Sequence, residues 1–166
     1  MSKGKAAGKG KKEEAVVEVA AVIEPEYIEG KGTFIFTNNS KYEGDYQQNT
    51  ADGIKKRHGN GTITWNYGPV EQYVGHWSDD RMNGSGVYTF ASGAEYTGEM
   101  KDNLFEGEGT YLFADGAKYS GHWLQNKMHG EGIYIDATGV NWAGNFFNGL
   151  YDSGKTHLSL RPTEEI

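Results

Sequence analysis

The sequence predicts an all-β protein, an elongated single-layer twisted antiparallel sheet of consecutive β-hairpins. Three observations lead to this prediction. The chain contains 25 glycines together with 11 Tyr, 7 Phe and 4 Trp, whereas disordered glycine-rich chains lack aromatic residues. A segment of 23 residues recurs in constant register, which is the signature of a repeat protein. Within it, aromatic and glycine positions alternate with a period of two, which is typical of strands.

The repeat has the pattern Y-x-G-x-aromatic, a polar linker, G-x-G-x-aromatic and a turn. Its copies start at an aromatic residue, and these residues are Tyr42, Tyr73, Tyr96, Tyr119 and Trp142. The first interval is 31 residues long, so that copy carries eight additional residues, six of them in a predicted loop over residues 49–57. Residues 30–40 read as the second half of one further copy.

Each strand of the repeat places its aromatic and glycine residues on one face. Residues i, i+2 and i+4 of a strand point the same way, so Tyr73, Gly75 and Trp77 share a face. Glycine normally weakens a strand interior. Here we expect each missing side chain to make room for a neighbouring ring that lies flat on the backbone. Turns that contain Gly93 and Gly116 are predicted between a G-x-G strand and the next Y-x-G strand.

Composition divides the chain into three regions. Residues 1–26 form a lysine-rich and then apolar N-terminal tail, which we expect to be extended or docked on a partner. Residues 27–149 form the repeat sheet, with about five repeats, and residues 150–166 form a C-terminal tail. The apolar residues 15–23 do not read as a signal peptide, because Glu18 interrupts them and no small-residue cleavage site follows.

Charge is distributed unevenly over the chain, whose formal net charge is −7. The first twelve residues contain five lysines and no acidic residue, so the remaining 154 carry 11 basic and 23 acidic side chains, a net −12. A body this acidic is repelled by nucleic acid and by anionic membranes. The absence of cysteine excludes disulfides and thiolate metal sites and fits a reducing compartment. The composition therefore favours protein partners and excludes nucleic acid.

The motif Y-x-G-x-W followed by G-x-G-x-Y resembles the MORN (membrane occupation and recognition nexus) repeat. The resemblance covers residues 30–149. Over residues 82–146 the runs KDNLF, GTYLF, DGAKY and NWAGNF are most similar to the small group called MORN repeat-containing protein two. This resemblance implies a non-catalytic scaffold or adaptor, of the kind found in radial spokes and other parts of ciliary axonemes, in flagellated germ cells and at membrane junctions.

One segment matches an enzymatic motif. Residues 149–156, GLYDSGKT, fit the nucleotide-binding P-loop pattern. A P-loop requires a buried parallel strand before it and a helix after it, but here an antiparallel repeat precedes it and Pro162 follows closely. We therefore interpret the segment as a turn, and we predict that the protein is not an enzyme and needs no cofactor.

The histidines do not have the spacing of a metal site. His76 and His122 occupy the same repeat position two repeats apart, which places them roughly 20 Å from each other at about 10 Å per repeat. Zinc binds its nitrogen ligands at about 2.1 Å, so one ion cannot contact both residues. We predict no metal site.

Two sets of residues are predicted to contact partners. A single-layer sheet cannot bury both of its faces, and aromatic surfaces with few charges are favoured at interface centres. A partner helix or peptide is therefore predicted to lie across the aromatic face formed by Tyr73, Trp77, Tyr88, Tyr96, Tyr111, Tyr119, Trp123, Tyr134 and Trp142. The second set is basic, and it consists of Lys3, Lys5, Lys9, Lys11, Lys12, Lys55, Lys56 and Arg57. These residues are interpreted either as a solvated tail and loop or as an electrostatic anchor to an acidic partner surface such as tubulin.

Two functional hypotheses follow from these residues and the resemblance. The preferred one is a structural component of a ciliary or flagellar axoneme, of the radial-spoke or central-apparatus type, in the cytoplasm of a ciliated cell. The alternative is a membrane-associated tether that recognises anionic lipid or a membrane-bound partner, which the acidic body disfavours because attraction to lipid requires clustered Lys and Arg. An exposed end strand is also predicted to allow edge-to-edge self-association.

Overall fold

A computed structural model describes residue 1 and residues 26–161 of the chain. The described part forms one open sheet of twelve antiparallel strands, and each strand pairs with the next one in sequence. This confirms the predicted fold class. The strands are β1 (Tyr27–Ile35), β2 (Lys41–Asn49), β3 (Lys55–Trp65), β4 (Glu71–Ser78), β5 (Arg81–Thr89), β6 (Glu95–Lys101), β7 (Leu104–Leu112), β8 (Lys118–Leu124), β9 (Lys127–Ile135), β10 (Asn141–Phe147), β11 (Leu150–Asp152) and β12 (His157–Leu158). Over residues 26–161 no helix has the length and apolar character needed to cross a bilayer.

A row of paired glycines crosses the sheet from β1 to β10. Within each repeat the glycine of Y-x-G lies opposite the second glycine of G-x-G, as Gly98 does with Gly109. The pairing continues from one repeat to the next, for example between Gly109 and Gly121. The row consists of Gly32, Gly44, Gly61, Gly75, Gly86, Gly98, Gly109, Gly121, Gly132 and Gly144.

Each complete repeat also contains a β-bulge beside this row. The register shifts once between the two strands of a hairpin, for example between Gly98 and Met100. The first glycine of each G-x-G has a positive φ at the bulge, as in Gly107 at 67° and Gly130 at 63°. Only glycine adopts this backbone conformation without steric cost, and bulges of this kind increase the local twist of the sheet.

Two kinds of turn alternate along the chain. The predicted glycine turns are present, with Gly93 at a φ of 86° and Gly116 at 88°. At the opposite end of the strands, two-residue turns join the halves of the three repeats that start at Tyr73, Tyr96 and Tyr119, whereas the repeat that starts at Tyr42 has a longer connection. In these two-residue turns both central residues have positive φ, as in Asp102 (50°) and Asn103 (70°). This is the type I′ geometry that matches the twist of a hairpin.

Two regions differ from the sequence-based predictions. The additional residues of the repeat that starts at Tyr42 do not form a loop over 49–57, because β2 continues to Asn49 and β3 begins at Lys55. They lengthen the hairpin and leave a short connection at residues 50–54. The predicted C-terminal tail begins with the short strands β11 and β12, which extend the sheet.

The core lies on the aromatic face of the sheet. Among the described residues, sixteen apolar side chains are buried, and eleven of them are aromatic. In β8 the alternation is clear, since Tyr119 and Trp123 are buried whereas Lys118 and Leu124 are exposed. The rings pack on one another and on the glycine backbone, so this face is buried without a second layer.

Candidate interaction surface

Each complete repeat places a tyrosine ring flat on a pair of glycines. A Cβ added at Gly109 would lie 2.6 Å from Cε2 of Tyr96, and one at Gly98 would lie 2.6 Å from its Oη. The hydroxyl of Tyr96 donates a hydrogen bond to the carbonyl oxygen of Glu99 at 2.8 Å. The corresponding tyrosines in the other repeats make the same bond, and they are Tyr42, Tyr73 and Tyr119. The prediction that glycines provide space for rings is therefore confirmed.

The seated tyrosines remain protonated near neutral pH. Burial raises the pKa of Tyr42, Tyr73 and Tyr119 from 10.0 to about 12. Burial also raises the pKa of Tyr88 and Tyr96. Apolar surroundings disfavour the phenolate, so these hydroxyls act as structural donors and not as acid–base groups.

Tryptophan joins one repeat to the next. The ring of Trp123 makes edge contacts with Tyr119 of its own repeat, at 5.2 Å between centroids, and with Tyr96 of the preceding repeat, at 5.4 Å. Its Nε1 donates to the carbonyl oxygen of Gly109 at 3.2 Å. Trp77 makes the equivalent bond to Gly61 at 3.1 Å. The rings therefore form one continuous layer along the sheet.

The recurrence of this arrangement decides the family. The family model of the MORN repeat matches residues 27–41, 55–66, 73–95, 96–118 and 119–140. The chain belongs to the MORN repeat family. None of the curated proteins compared with the chain matches it. MORN repeats provide a repeat-based scaffold for binding, and the family is generally non-catalytic.

Most of the predicted aromatic contact residues lie inside the layer of the MORN sheet. Seven of the nine are at most 5% exposed, and they are Tyr73, Trp77, Tyr96, Tyr111, Tyr119, Trp123 and Tyr134. The other two, Tyr88 and Trp142, are half-buried. A partner can therefore reach only the parts of this face that its own rings leave open, and partner binding there stays a prediction.

One partly open part of the layer is a cluster that we term the open ring patch, formed by Trp65, Tyr88 and Phe90. Tyr88 contacts Trp65 at 5.6 Å and Phe90 at 4.6 Å between ring centroids. All three rings are half-buried. The hydroxyl of Tyr88 donates a hydrogen bond to the carboxylate of Glu71, which fixes the ring. The patch is thus a preformed apolar surface that has a carboxylate at its edge.

The C-terminal segment covers a different part of the same face. The guanidinium of Arg161 lies over the Phe113 ring, 3.8 Å from its centroid. It forms an ion pair with Asp115 at 3.1 Å and donates to the Tyr134 hydroxyl at 3.3 Å. Leu160 packs against the core beside it. The sequence offered no signal for this contact, because Arg161 lies 46 residues from Asp115.

The predicted basic anchor is compensated within the chain where the structure describes it. Lys56 pairs with Asp79 at 3.0 Å. Arg57 pairs with Asp80 at 3.0 Å, and Lys55 lies 4.5 Å above the Tyr46 ring. The other five predicted residues, Lys3, Lys5, Lys9, Lys11 and Lys12, lie outside the described residues. Anchoring to an acidic partner stays a prediction for both groups.

A ladder of side chains at the two-residue turns was not predicted. Asn103 donates its backbone N–H to the carbonyl oxygen of Met82 at 3.0 Å, and its Oδ1 accepts the N–H of Met82 at 2.9 Å. Asn126 binds Phe105 in the same two ways. Each turn is thereby fastened to the preceding repeat. The sequence signal for these turns is the Asp or Asn of each polar linker, because these residues adopt positive φ more readily than most others.

The P-loop-like segment forms no phosphate-binding loop. Residues 149–156 contain β11 and a turn, and β12 follows in antiparallel pairing with β11. The hydroxyl of Ser153 donates to the carbonyl oxygen of Thr156 at 2.8 Å, which closes that turn. Across the described residues, no group of three or more His, Asp or Glu side chains has the arrangement to hold a metal ion.

Proposed function

We propose that this MORN protein is a structural subunit of a ciliary or flagellar axoneme, in an assembly of the radial-spoke or central-apparatus type. The observation that carries the proposal is the continuous ring layer over the glycine row. It makes a stiff sheet of constant repeat, which suits a spacer that holds other proteins at set distances. The similarity of residues 82–146 to the MORN repeat-containing protein two group supports the same location.

The open ring patch is the part of the sheet that best suits a partner helix or peptide. Interface centres are enriched in aromatic residues and fixed in geometry, and Tyr88 is held by Glu71. The carboxylate at the edge of the patch favours a partner segment with a basic residue next to its apolar anchor. The lysines of residues 1–12 then supply a second contact, with an acidic surface of the assembly.

Fractionation of a ciliated cell that expresses the tagged protein tests this proposal. We expect the full chain to remain with axonemes after detergent extraction and to be released only by high salt. Trp65→Ser combined with Phe90→Ser should lower that retention, whereas Val74→Ser combined with Ile133→Ser, on the opposite exposed face, should not. Thermal unfolding of both variants confirms that they fold. Recovery of the full chain wholly in the detergent-soluble membrane fraction would overturn the axonemal location.

Vesicle binding separates the axonemal proposal from the membrane tether. We expect no co-sedimentation of the protein with vesicles of phosphatidylserine and phosphatidylcholine at physiological salt, because the sheet is acidic and Lys56 and Arg57 are paired with acidic side chains. Binding that depends on residues 1–12 would assign it to the lysines alone. Binding that survives replacement of those five lysines by Ser would favour the tether instead.

A further inference from the structure

Strand β1 is the second half of a MORN repeat without its first half. Its sequence GKGTF aligns with GNGTI in β3, so that Gly32 corresponds to Gly61. In a complete repeat a tyrosine of the preceding strand lies on this glycine, and a Cβ added at Gly132 would lie 2.6 Å from Cε2 of Tyr119. At Gly32 the nearest atom is Cε1 of Tyr46, from the following strand, at 3.3 Å. The tyrosine seat of β1 is therefore not filled from its outer side.

The backbone conformation of β1 also indicates that this strand lacks the preceding strand of a complete repeat. The first glycine of G-x-G has a positive φ in the four complete repeats, at Gly59, Gly84, Gly107 and Gly130. Gly30, the equivalent residue of β1, does not have one. The bulge forms against a preceding strand, and among the described residues β1 pairs only with β2. Residues 1–26 contain no aromatic side chain and so cannot supply the missing ring.

Strand β10 at the other end of the sheet is the complementary half. Its sequence WAGNF has the Y-x-G-x-aromatic pattern, and it pairs with β9 through six residues. Its other edge pairs with β11 only at Phe146 and Phe147. In the described part of the chain, residues 141–145 have no strand on that side. Tyr151 covers Gly144 and donates to the carbonyl oxygen of Ala143 at 3.2 Å, so its side chain shields this edge.

We propose that β10 of one copy pairs with β1 of a second copy and completes the divided repeat. The β8–β9 pairing, in which Tyr119 faces Tyr134 and Gly121 faces Gly132, sets the register. By that register Trp142 faces Phe34 of the second copy, Ala143 faces Thr33 and Gly144 faces Gly32. Asn141 faces Ile35, and the register shift of the template lies beyond Gly144, so no charged residues of like sign lie opposite each other in the paired stretch.

The pairing extends the sheet and its glycine row from one copy into the next. Such an interface is heterologous, because it joins two different surfaces of the same chain, and it generates open linear assemblies. Tyr151 has to leave Gly144 for the pairing to form. β11 holds Tyr151 there through two residue pairs with β10 and through ring contacts with Trp142 and Phe146, and the contacts with the second copy have to replace these. Self-association is a property of the purified chain, so its absence would leave the proposed axonemal location unaffected.

Engineered cysteines test the register directly, because the chain has no cysteine of its own. Residues directly opposite in an antiparallel pair lie close enough for a disulfide. A mixture of the Thr33→Cys and Ala143→Cys proteins should form a disulfide-linked heterodimer under mild oxidation. The matched control mixes Thr33→Cys with Asn141→Cys, which lies two residues out of register and should not link. Disulfide dimers of Thr33→Cys alone that exceed the heterodimer would indicate a symmetric β1–β1 contact and overturn the proposal.

Two further variants should change self-association in opposite directions. Gly32→Ala fills the seat for Trp142 and should weaken association by about tenfold or more, whereas Tyr151→Ser uncovers β10 and should strengthen it. Sedimentation velocity from about 5 to about 200 µM measures both effects in the full chain. Circular dichroism confirms folding. A monomer at every concentration in both the natural protein and Tyr151→Ser would overturn the proposal.

Discussion

The central repeats, residues 73–140, and the first region, residues 27–66, share one glycine row but differ at the tips of their hairpins. In the central repeats a two-residue turn follows the Y-x-G-x-aromatic strand directly. The first region has longer strands and a five-residue connection. The second residue after the central turn is Met82, Phe105 or Met128, and it lies opposite an apolar partner. The first region has Arg57 at this position, opposite Tyr46.

Arg57 retains the packing of the residue it replaces. Its guanidinium lies 4.3 Å from the Trp77 ring, and the side chain is 19% exposed. Its head donates to Oδ1 and to the carbonyl oxygen of Asp80. The hairpin tip therefore accepts changes in length and polarity, provided that the ring of the next repeat stays covered. The glycine row does not vary between the two regions.

The largest expected effect is alkaline unfolding, which tests whether seated tyrosines support both regions. The pKa of Tyr42, Tyr73 and Tyr119 is about 12 in the fold and near 10 in the unfolded chain. Their contribution is fully present below pH 10 and is lost as the pH rises towards 12, because the unfolded chain then releases protons first. At about pH 11 each tyrosine should lower the free energy of unfolding by about 1.4 kcal/mol.

Urea unfolding followed by tryptophan fluorescence at several pH values measures this loss. Tyr42→Phe in the first region and Tyr73→Phe in the central repeats should each remove the contribution of one tyrosine to the pH dependence of the free energy of unfolding. A free energy of unfolding that does not change between about pH 9 and about pH 11 would contradict the assignment.

The next largest effect distinguishes a filled seat from an open one. Gly109→Ala places a Cβ 2.6 Å from the buried Tyr96 ring and should lower the free energy of unfolding by about 3 kcal/mol. The Cβ of Gly32→Ala would lie 3.3 Å from the nearest atom, Cε1 of Tyr46. This substitution should lower the free energy of unfolding by less than about 1 kcal/mol. Urea unfolding of both proteins measures the difference. Equal losses would mean that the two glycines face the same constraint.

A smaller effect is expected at the position where the two regions differ. Arg57→Ala uncovers Trp77 and should lower the free energy of unfolding by about 2 kcal/mol, since both packing and cation–π contact are lost. Arg57→Met restores the apolar side chain of the central repeats and should remain within about 1 kcal/mol of the natural protein. Chemical unfolding at low and high salt measures both. A loss of stability in Arg57→Met as large as that in Arg57→Ala would show that the charge of Arg57, and not its packing on the Trp77 ring, stabilises this position.

The smallest effect concerns the turn ladder of the central repeats. Asn103→Gly keeps the positive φ of the turn but removes the acceptor of the Met82 N–H, so it should cost about 1 kcal/mol. Gly149 is the natural counterpart, because it donates to the Met128 carbonyl without a side-chain acceptor. Hydrogen exchange at the Met82 amide measures the loss. An unchanged exchange rate at that amide would show that the Oδ1 contact adds nothing.

Local patterns were enough to predict the strands, their faces and the seats for rings. The spacing of Tyr96, Gly98 and Met100 places them on one face, since side chains alternate along any strand. Gly93 and Gly116 indicated their turns for a similarly local reason, because few other residues adopt a positive φ. The two-residue turns were missed, since pairs such as Gln125–Asn126 have positive φ without containing glycine.

The sequence by itself determined the repeat, the antiparallel order of strands and the glycine row, because these depend on side-chain alternation and on contacts between neighbours in the chain. Tertiary structure alone decided how much of the aromatic face stays open. Burial of a ring depends on side chains from other repeats, as Trp123 depends on Tyr96, and on distant segments, as Phe113 depends on Arg161. No local pattern encodes those contacts. Most rings of the face that is predicted to bind a partner are therefore buried in the core of the sheet, and partner binding there stays a prediction.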